Sequence, residues 1–223
     1  MKKQPNRIES ICLVILIMVA TTLSAFALDM NQIQSAFKKQ GGQSQTLIDW
    51  QIMLHDANEL PANDKLKRVN EFFNRHISYA ENRDVWGKDD YWATPVESLS
   101  RSKGDCKAYV IAKYFALIEL NIPVKQLRLI YVKAQIGGEL SPIQQAHMIL
   151  AYYPSPDAEP LILDNLITDI RPASRRTDLL PIFSFNGEGI FVGVSGGATV
   201  GPGGVGQLSH WADLLRRAHA EGF

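Results

Sequence analysis

Beyond residue 27, apolar side chains first recur three and four positions apart. Past Pro123 they recur at every second position, so the chain reads as helices followed by strands. Ile33 and Phe37 mark a helix over 28–40 that Gly41-Gly42 ends. Trp50, Leu54 and Ala57 form the stripe of a second over 47–60, closed by Pro61. Leu66, Val69, Phe72, Phe73 and Ile77 line a third over 65–77, with Asn63 or Asp64 as its cap. Residues 79–91 are polar and read as a long loop. Thr94-Pro95-Val96-Glu97 is a capping box with proline in the first turn, which starts a short helix. The longest apolar segment, 106–120, is apolar almost all round. It predicts a buried central helix with Lys107, Lys113 and Glu119 on a narrow wet side. Strands follow at 127–132, 146–153 and 161–164, then at 182–185 and 190–194 around an Asn186-Gly187 turn. Helices first and an antiparallel sheet afterwards make an α+β fold.

The two ends have a different character. Lys2, Lys3 and Arg7 precede an apolar run over 11–20, and Ala25-Phe26-Ala27 is a small-x-small cleavage site. Residues 1–27 therefore read as a signal peptide cut after Ala27, with an uncleaved anchor as the alternative. Cys12 lies at the start of the run, where it is no lipoprotein acceptor. At the other end, 193–206 holds seven glycines in fourteen residues, and 209–220 is amphipathic through Trp211, Leu214, Leu215 and Ala218. That tail reads as a tether for a docking helix or as a frayed end.

Composition narrows the function classes. Apolar residues are 46% and charged residues 21%, which excludes a polytopic membrane protein and a disordered chain. Basic and acidic residues number 23 each, so no overall field gathers nucleic acid. Cleavage after Ala27 removes three basic residues and one acidic, leaving a net charge of −2. It also removes Cys12, one of two cysteines. The mature chain keeps Cys106 alone and cannot form an internal disulfide. A lone thiol in an exported chain is either buried and inert or kept for chemistry.

Cys106 begins the central helix just after a capping aspartate. The helix dipole and free backbone N–H groups there favour a thiolate and could hold an oxyanion. Asp105 opposes the thiolate through its charge, so a base is required. Of five histidines, His55, His76, His210 and His219 fall on polar or amphipathic helical segments, where surface packing accounts for them. His147 lies inside a strand, on the face shared by Ile149, Ala151 and Tyr153. A four-residue loop over 154–157 would pair Tyr153 with Ala158 and set His147 directly opposite Asp164. A slip of two keeps them diagonal neighbours, and a slip of one separates them across the sheet. Cys106 as nucleophile, His147 as base and later acid, and Asp164 as orienter form a triad. Trp92, with Trp86 and Tyr91, could line the cleft, its indole N–H reaching an oxyanion; core packing is the alternative.

These residues resemble a known family. Cysteine at a central helix start, followed by histidine and aspartate on neighbouring strands, is similar to the transglutaminase-like, papain-like cysteine peptidases. WGKDDYWATPVESL from Trp86, GDC from Gly104, AHMILAYY from Ala146, LILDNL from Leu161 and RRTDLLPIFSFN from Arg175 resemble the bacterial transglutaminase-like cysteine proteinases of the LapG type. The resemblance implies N-terminal helices and a Cys-bearing central helix packed on an antiparallel sheet. Residues 28–192 would form that domain, and 193–223 a glycine-rich linker with a short helix. It implies a periplasmic endopeptidase that cuts a large surface adhesin near its N-terminus, releasing it and promoting biofilm dispersal. An inner-membrane cyclic di-GMP receptor would be the sequestering partner, and Cys106, His147 and Asp164 the family triad. The family's calcium would fall at Asp105, but Lys107 and Ala108 stand where further acidic ligands are expected, so calcium is expected to be weakened or absent. No cofactor is needed for the chemistry, and no CxxC or HExxH spacing supports zinc. Acyl transfer (crosslinking or amidase action) and an inactive binding module are the competing readings.

Overall fold

The computed structural model describes residues 28–138, 141–192 and 209–223. The expected signal peptide, the glycine-rich segment and the last expected strand residues, 193 and 194, lie outside them. Seven helices and eight strands are described. Helices α1 (Met30–Lys39), α2 (Ser44–Ala57) and α3 (Ala62–His76) come first, in the order the apolar periodicity predicts. Asp29 caps α1, its side chain accepting from the N–H groups of Asn31 and Gln32. The start of α3 differs from expectation. Pro61 holds an extended backbone at the N-cap with no side-chain bond, so the helix begins before Asn63 and Asp64.

The polar stretch 79–91 is more ordered than its composition suggests. Strand β1 (Ser78–Tyr79) pairs in parallel with β2 (Lys103–Gly104), and between them α4 (Asn82–Trp86) makes a short helix. Gly87 ends α4 in the left-handed conformation, φ 64°. Helix α5 (Pro95–Arg101) carries the reciprocal capping box of Thr94 and Glu97. Helix α6 (Cys106–Glu119) runs through the centre, packed on α3 and α5 and against the sheet. Its wet side is narrower than predicted. Lys113 is fully buried, its ammonium donating to Asn70 Oδ1 at 2.7 Å and to the Asp164 carbonyl at 3.3 Å.

Strands β3 (Leu127–Gln135), β4 (Gln144–Tyr152), β5 (Leu161–Leu163), β6 (Arg171–Pro172), β7 (Leu179–Phe185) and β8 (Ile190–Val192) form one antiparallel sheet in the order β6-β5-β4-β3-β7-β8. Alternation along β4 divides the interior as the sequence implies. Met148, Leu150 and Tyr152 join the main core with the helices, while Ile149, Ala151 and Tyr153 join a smaller cluster with Ile130, Val132 and Ile162.

The C-terminal helix α7 (Ser209–Ala220) docks instead of fraying. Trp211 and Leu214 are fully buried, and the Trp211 ring lies 5.2 Å from that of Phe185 and 5.6 Å from that of Tyr114. Beyond α7, the carbonyl of Gly222 accepts from the N–H of Asp29 at 2.9 Å, so the last residues meet the start of α1. Gly222 takes φ 108°, and a Cβ there would sit 2.6 Å from the Asp29 carbonyl oxygen.

Candidate active site

Cys106 is placed by its neighbours in the chain. Gly104 pairs with Tyr79 across the short parallel ladder, and a Cβ on it would meet that of Ala108 at 2.4 Å. Only glycine before the helix and a small residue in its first turn allow so tight an entry. Asp105 is the N-cap: Oδ1 accepts from the N–H of Lys107 at 3.0 Å and of Ala108 at 3.3 Å. Oδ2 accepts from Asn82 Nδ2 at 3.0 Å and from the Lys107 ammonium. Cys106, half-buried, is the first residue of α6, with the positive end of the helix dipole behind its sulfur.

His147 and Asp164 meet, though by a different register from the one expected. Tyr152 pairs with Leu161 and Leu150 with Leu163, two residues away from the direct pairing. The connection from 153 to 160 holds Pro154, Pro156 and Pro160, which lack N–H groups and cannot extend the ladder. A slip of two preserves the face, so Asp164 reaches His147 diagonally, with Nε2 2.7 Å from Oδ1. An ionised carboxylate only accepts, so Nε2 carries the proton and Nδ1 is left free for another partner, with Cys106 near enough to help raise the imidazole's pKa.

Asp164 is held from every side. Oδ1 also accepts from the N–H groups of Asn165 at 2.7 Å and Leu166 at 3.1 Å, and Oδ2 from Arg176 Nη2 at 2.7 Å. Its carbonyl accepts from Asn74 Nδ2 at 2.9 Å and from Lys113. Arg176, itself buried, is completed by Asp178 at 2.8 and 2.9 Å. Neither Arg176 nor Lys113 is marked as functional by the sequence. The available signal was that a buried strand aspartate requires a cation, and Arg175-Arg176 follows in the next strand connection.

These contacts set the electrostatics. Burial alone would push the His147 imidazole down. The hydrogen bonds to Asp164 and Cys106 and the nearby negative charges outweigh it and raise the group to about 9. Burial likewise favours neutral Asp164, but the His147 and Arg176 contacts bring it to about 2. The arrangement thus holds an ionised carboxylate against an imidazole that retains its proton readily beside a thiol.

Trp92 lies in an aromatic cluster with Trp211, Phe185 and Tyr131, its ring stacked on that of His210. The packing role describes that position, and its buried Nε1 has no hydrogen-bond partner. Trp86 stacks obliquely on Tyr91, 4.8 Å between ring centres. His210, expected on a surface helix, sits near the site, 3.5 Å from Asp90. Among the described residues, no group of three His, Cys, Asp or Glu could hold a metal ion.

The chain matches the family model described as bacterial transglutaminase-like cysteine proteinase over residues 51–178, more than half its length. It is a bacterial transglutaminase-like cysteine proteinase. Three solved structures of LapG from Legionella pneumophila are similar to this proteinase. The calcium-bound form shares 34% identity over 84% of this chain and 97% of that one, with a TM-score of 0.71. A second form gives 34%, 83%, 97% and 0.68, and an EGTA-treated form 34%, 83%, 97% and 0.70. Comparison with curated protein sequences gives no match. The proteinase therefore has the transglutaminase-like α+β fold that its sequence resembles.

Proposed function

We propose that this proteinase is an exported, periplasmic endopeptidase that cuts the N-terminal region of a large surface adhesin through Cys106, His147 and Asp164. One observation carries the reading: a thiol at a helix N-terminus lies beside a histidine whose Nε2 is held 2.7 Å from the Asp164 carboxylate. In this scheme the thiol proton passes to His147 Nδ1 and Sγ attacks the scissile carbonyl. The oxyanion forms at the N-terminus of α6, whose dipole stabilises it. The imidazolium, paired with Asp164, protonates the leaving amine, and water then hydrolyses the thioester with His147 as base. The adhesin, the release of cells from biofilm and sequestration by an inner-membrane cyclic di-GMP receptor follow from the family resemblance. The basic, apolar and small-residue order of 1–27 supports export by a signal peptide. No helix among the described residues is long and apolar enough to cross a membrane.

We further propose that calcium is not required. A solved relative carries calcium. Here both Asp105 oxygens are already engaged by N–H and ammonium donors, and a hard cation wants six to eight oxygens.

The test is cleavage of a recombinant N-terminal adhesin fragment by the wild type and by Cys106→Ala, beside iodoacetamide labelling of Cys106 across pH. Loss of cleavage by at least roughly 10⁴-fold in the variant is expected. Unchanged cleavage would end the mechanism. Amine incorporation without peptide cleavage would point to an acyl transferase, and a reactive thiol with no turnover to a binding module.

A further inference from the structure

Lys107 follows the nucleophile directly, yet its side chain is only 13% exposed. Its ammonium lies between two carboxylates, in contact with Asp105 Oδ2 and 3.2 Å from Asp90 Oδ1. Asp105 belongs to the start of α6. Asp90 belongs to the turn that leaves α4 and leads through Tyr91 and Trp92 into α5. One cation therefore joins the helix that carries Cys106 to a separate segment beside it. Asn82 supplies a second strut to the same Asp105 oxygen, and His210 approaches the other oxygen of Asp90 from α7. The Asp105 half of this bridge is buried and shielded from solvent ions, while the Asp90 side chain is 49% exposed, still less open than the nearby pair of Arg83 and Asp89. Two carboxylates drawn together from different segments would repel each other without a positive charge between them. A divalent ion is one way to supply it, and a lysine built into the chain is another.

We propose that the Lys107 ammonium is a tethered cation that takes the place of a bound divalent ion, clamping the segment around Asp90 to the nucleophile's helix. The inference rests on the reading that calcium is not required, and it adds the reason. The clamp is covalently part of the chain, so the site is assembled at any calcium concentration. Lys107 is thus a positioning residue: it acts on the nucleophile through Asp105 and Asp90.

Three variants, Lys107→Met, Lys107→Arg and Lys107→Glu, test it through melting temperature, calorimetric titration with calcium chloride, and turnover of the adhesin fragment with calcium or EGTA. The wild type should melt and turn over alike in both. Lys107→Met should melt several degrees lower and lose about tenfold in turnover, within what a small displacement of a reacting group costs. Lys107→Arg, which keeps the charge, should retain most of both. Lys107→Glu gathers three carboxylates and should bind calcium, which then raises its melting temperature and restores turnover. If Lys107→Met matches the wild type in both measurements, the clamp is refuted while the calcium-free reading stands. Wild type silenced by EGTA and restored by calcium would refute the calcium-free reading itself. A folded Lys107→Glu that neither takes up calcium nor gains stability from it also counts against the clamp, since the position would then not be one that a cation fills.

Discussion

At the scale of single residues, Asp164 is the point on which the site turns. Its side chain accepts four hydrogen bonds and its carbonyl two more, with no exposed surface. Removing Arg176 would leave that charge buried with one cation fewer. Arg176→Met is therefore expected to cost about 3–5 kcal/mol of stability by urea titration, the range for breaking a buried pair. It should also raise the Asp164 pKa from about 2, because the guanidinium is one of the contacts that lower it. A protonated Asp164 no longer supplies the negative charge that stabilises the His147 imidazolium, so activity on the acid side should fail at a higher pH than in the wild type. An unmoved acid limb in a folded variant would show that Arg176 does not act through Asp164. The members of the proposed triad were legible as residue types, a thiol at a helix start and a histidine and an aspartate of matching strand parity. Arg176 was not, because it sits in an irregular connection where no periodicity marks a buried side chain.

At the scale of elements, α6 carries a fully buried lysine, and that choice has a measurable cost. Burial lowers Lys113 from 10.5 to about 7, against the pull of Asp164. Lys113 therefore binds its proton more weakly folded than unfolded, and its penalty is relieved as pH rises from about 7 towards 10.5. His147 does the reverse: raised from 6.5 to about 9, its contribution is complete below 6.5 and fades as pH climbs to about 9. Between pH 7 and 9 the two oppose each other. Lys113→Met should remove the rising part, so that stability falls more steeply over this window than in the wild type, in urea titrations at successive pH values. Parallel profiles would mean that Lys113 is charged throughout. Elements themselves were readable where local signals were strong, as in the apolar stripe of α3 and the capping box of α5. They were unreadable where order comes from distant partners. Helix α4 has little apolar period and is anchored by Asn82 on Asp105, and the register between β4 and β5 depends on a proline-bearing connection whose length the pattern does not fix. The wet side assigned to α6 failed for a similar reason, since Lys113 finds its acceptors on α3 and beyond β5.

At the scale of the whole molecule, α7 closes the core. Trp211 touches rings from α6 and β7 and the Trp92 ring, while Arg217 donates through Nη1 to Glu97 at 2.7 Å and to the Tyr91 hydroxyl at 3.1 Å, and through Nη2 to the Trp92 carbonyl at 2.5 Å. Trp211→Ala is expected to lower the melting temperature by on the order of 10 °C, following the usual cost of emptying a buried aromatic site. A chain ending at residue 208 should fail to give a sharp thermal transition at all. If either melts like the wild type, α7 is an ornament on a core that is complete without it. This dependence reaches into the order of events during synthesis. The centre of the core is filled by a side chain from an element that follows every other described helix and strand. A chain emerging N-terminus first can gather α1 to β8 but cannot seal them until α7 is free. A protease assembled this way stays unfinished, and its thiol without a settled sheet beside it, until α7 has been made.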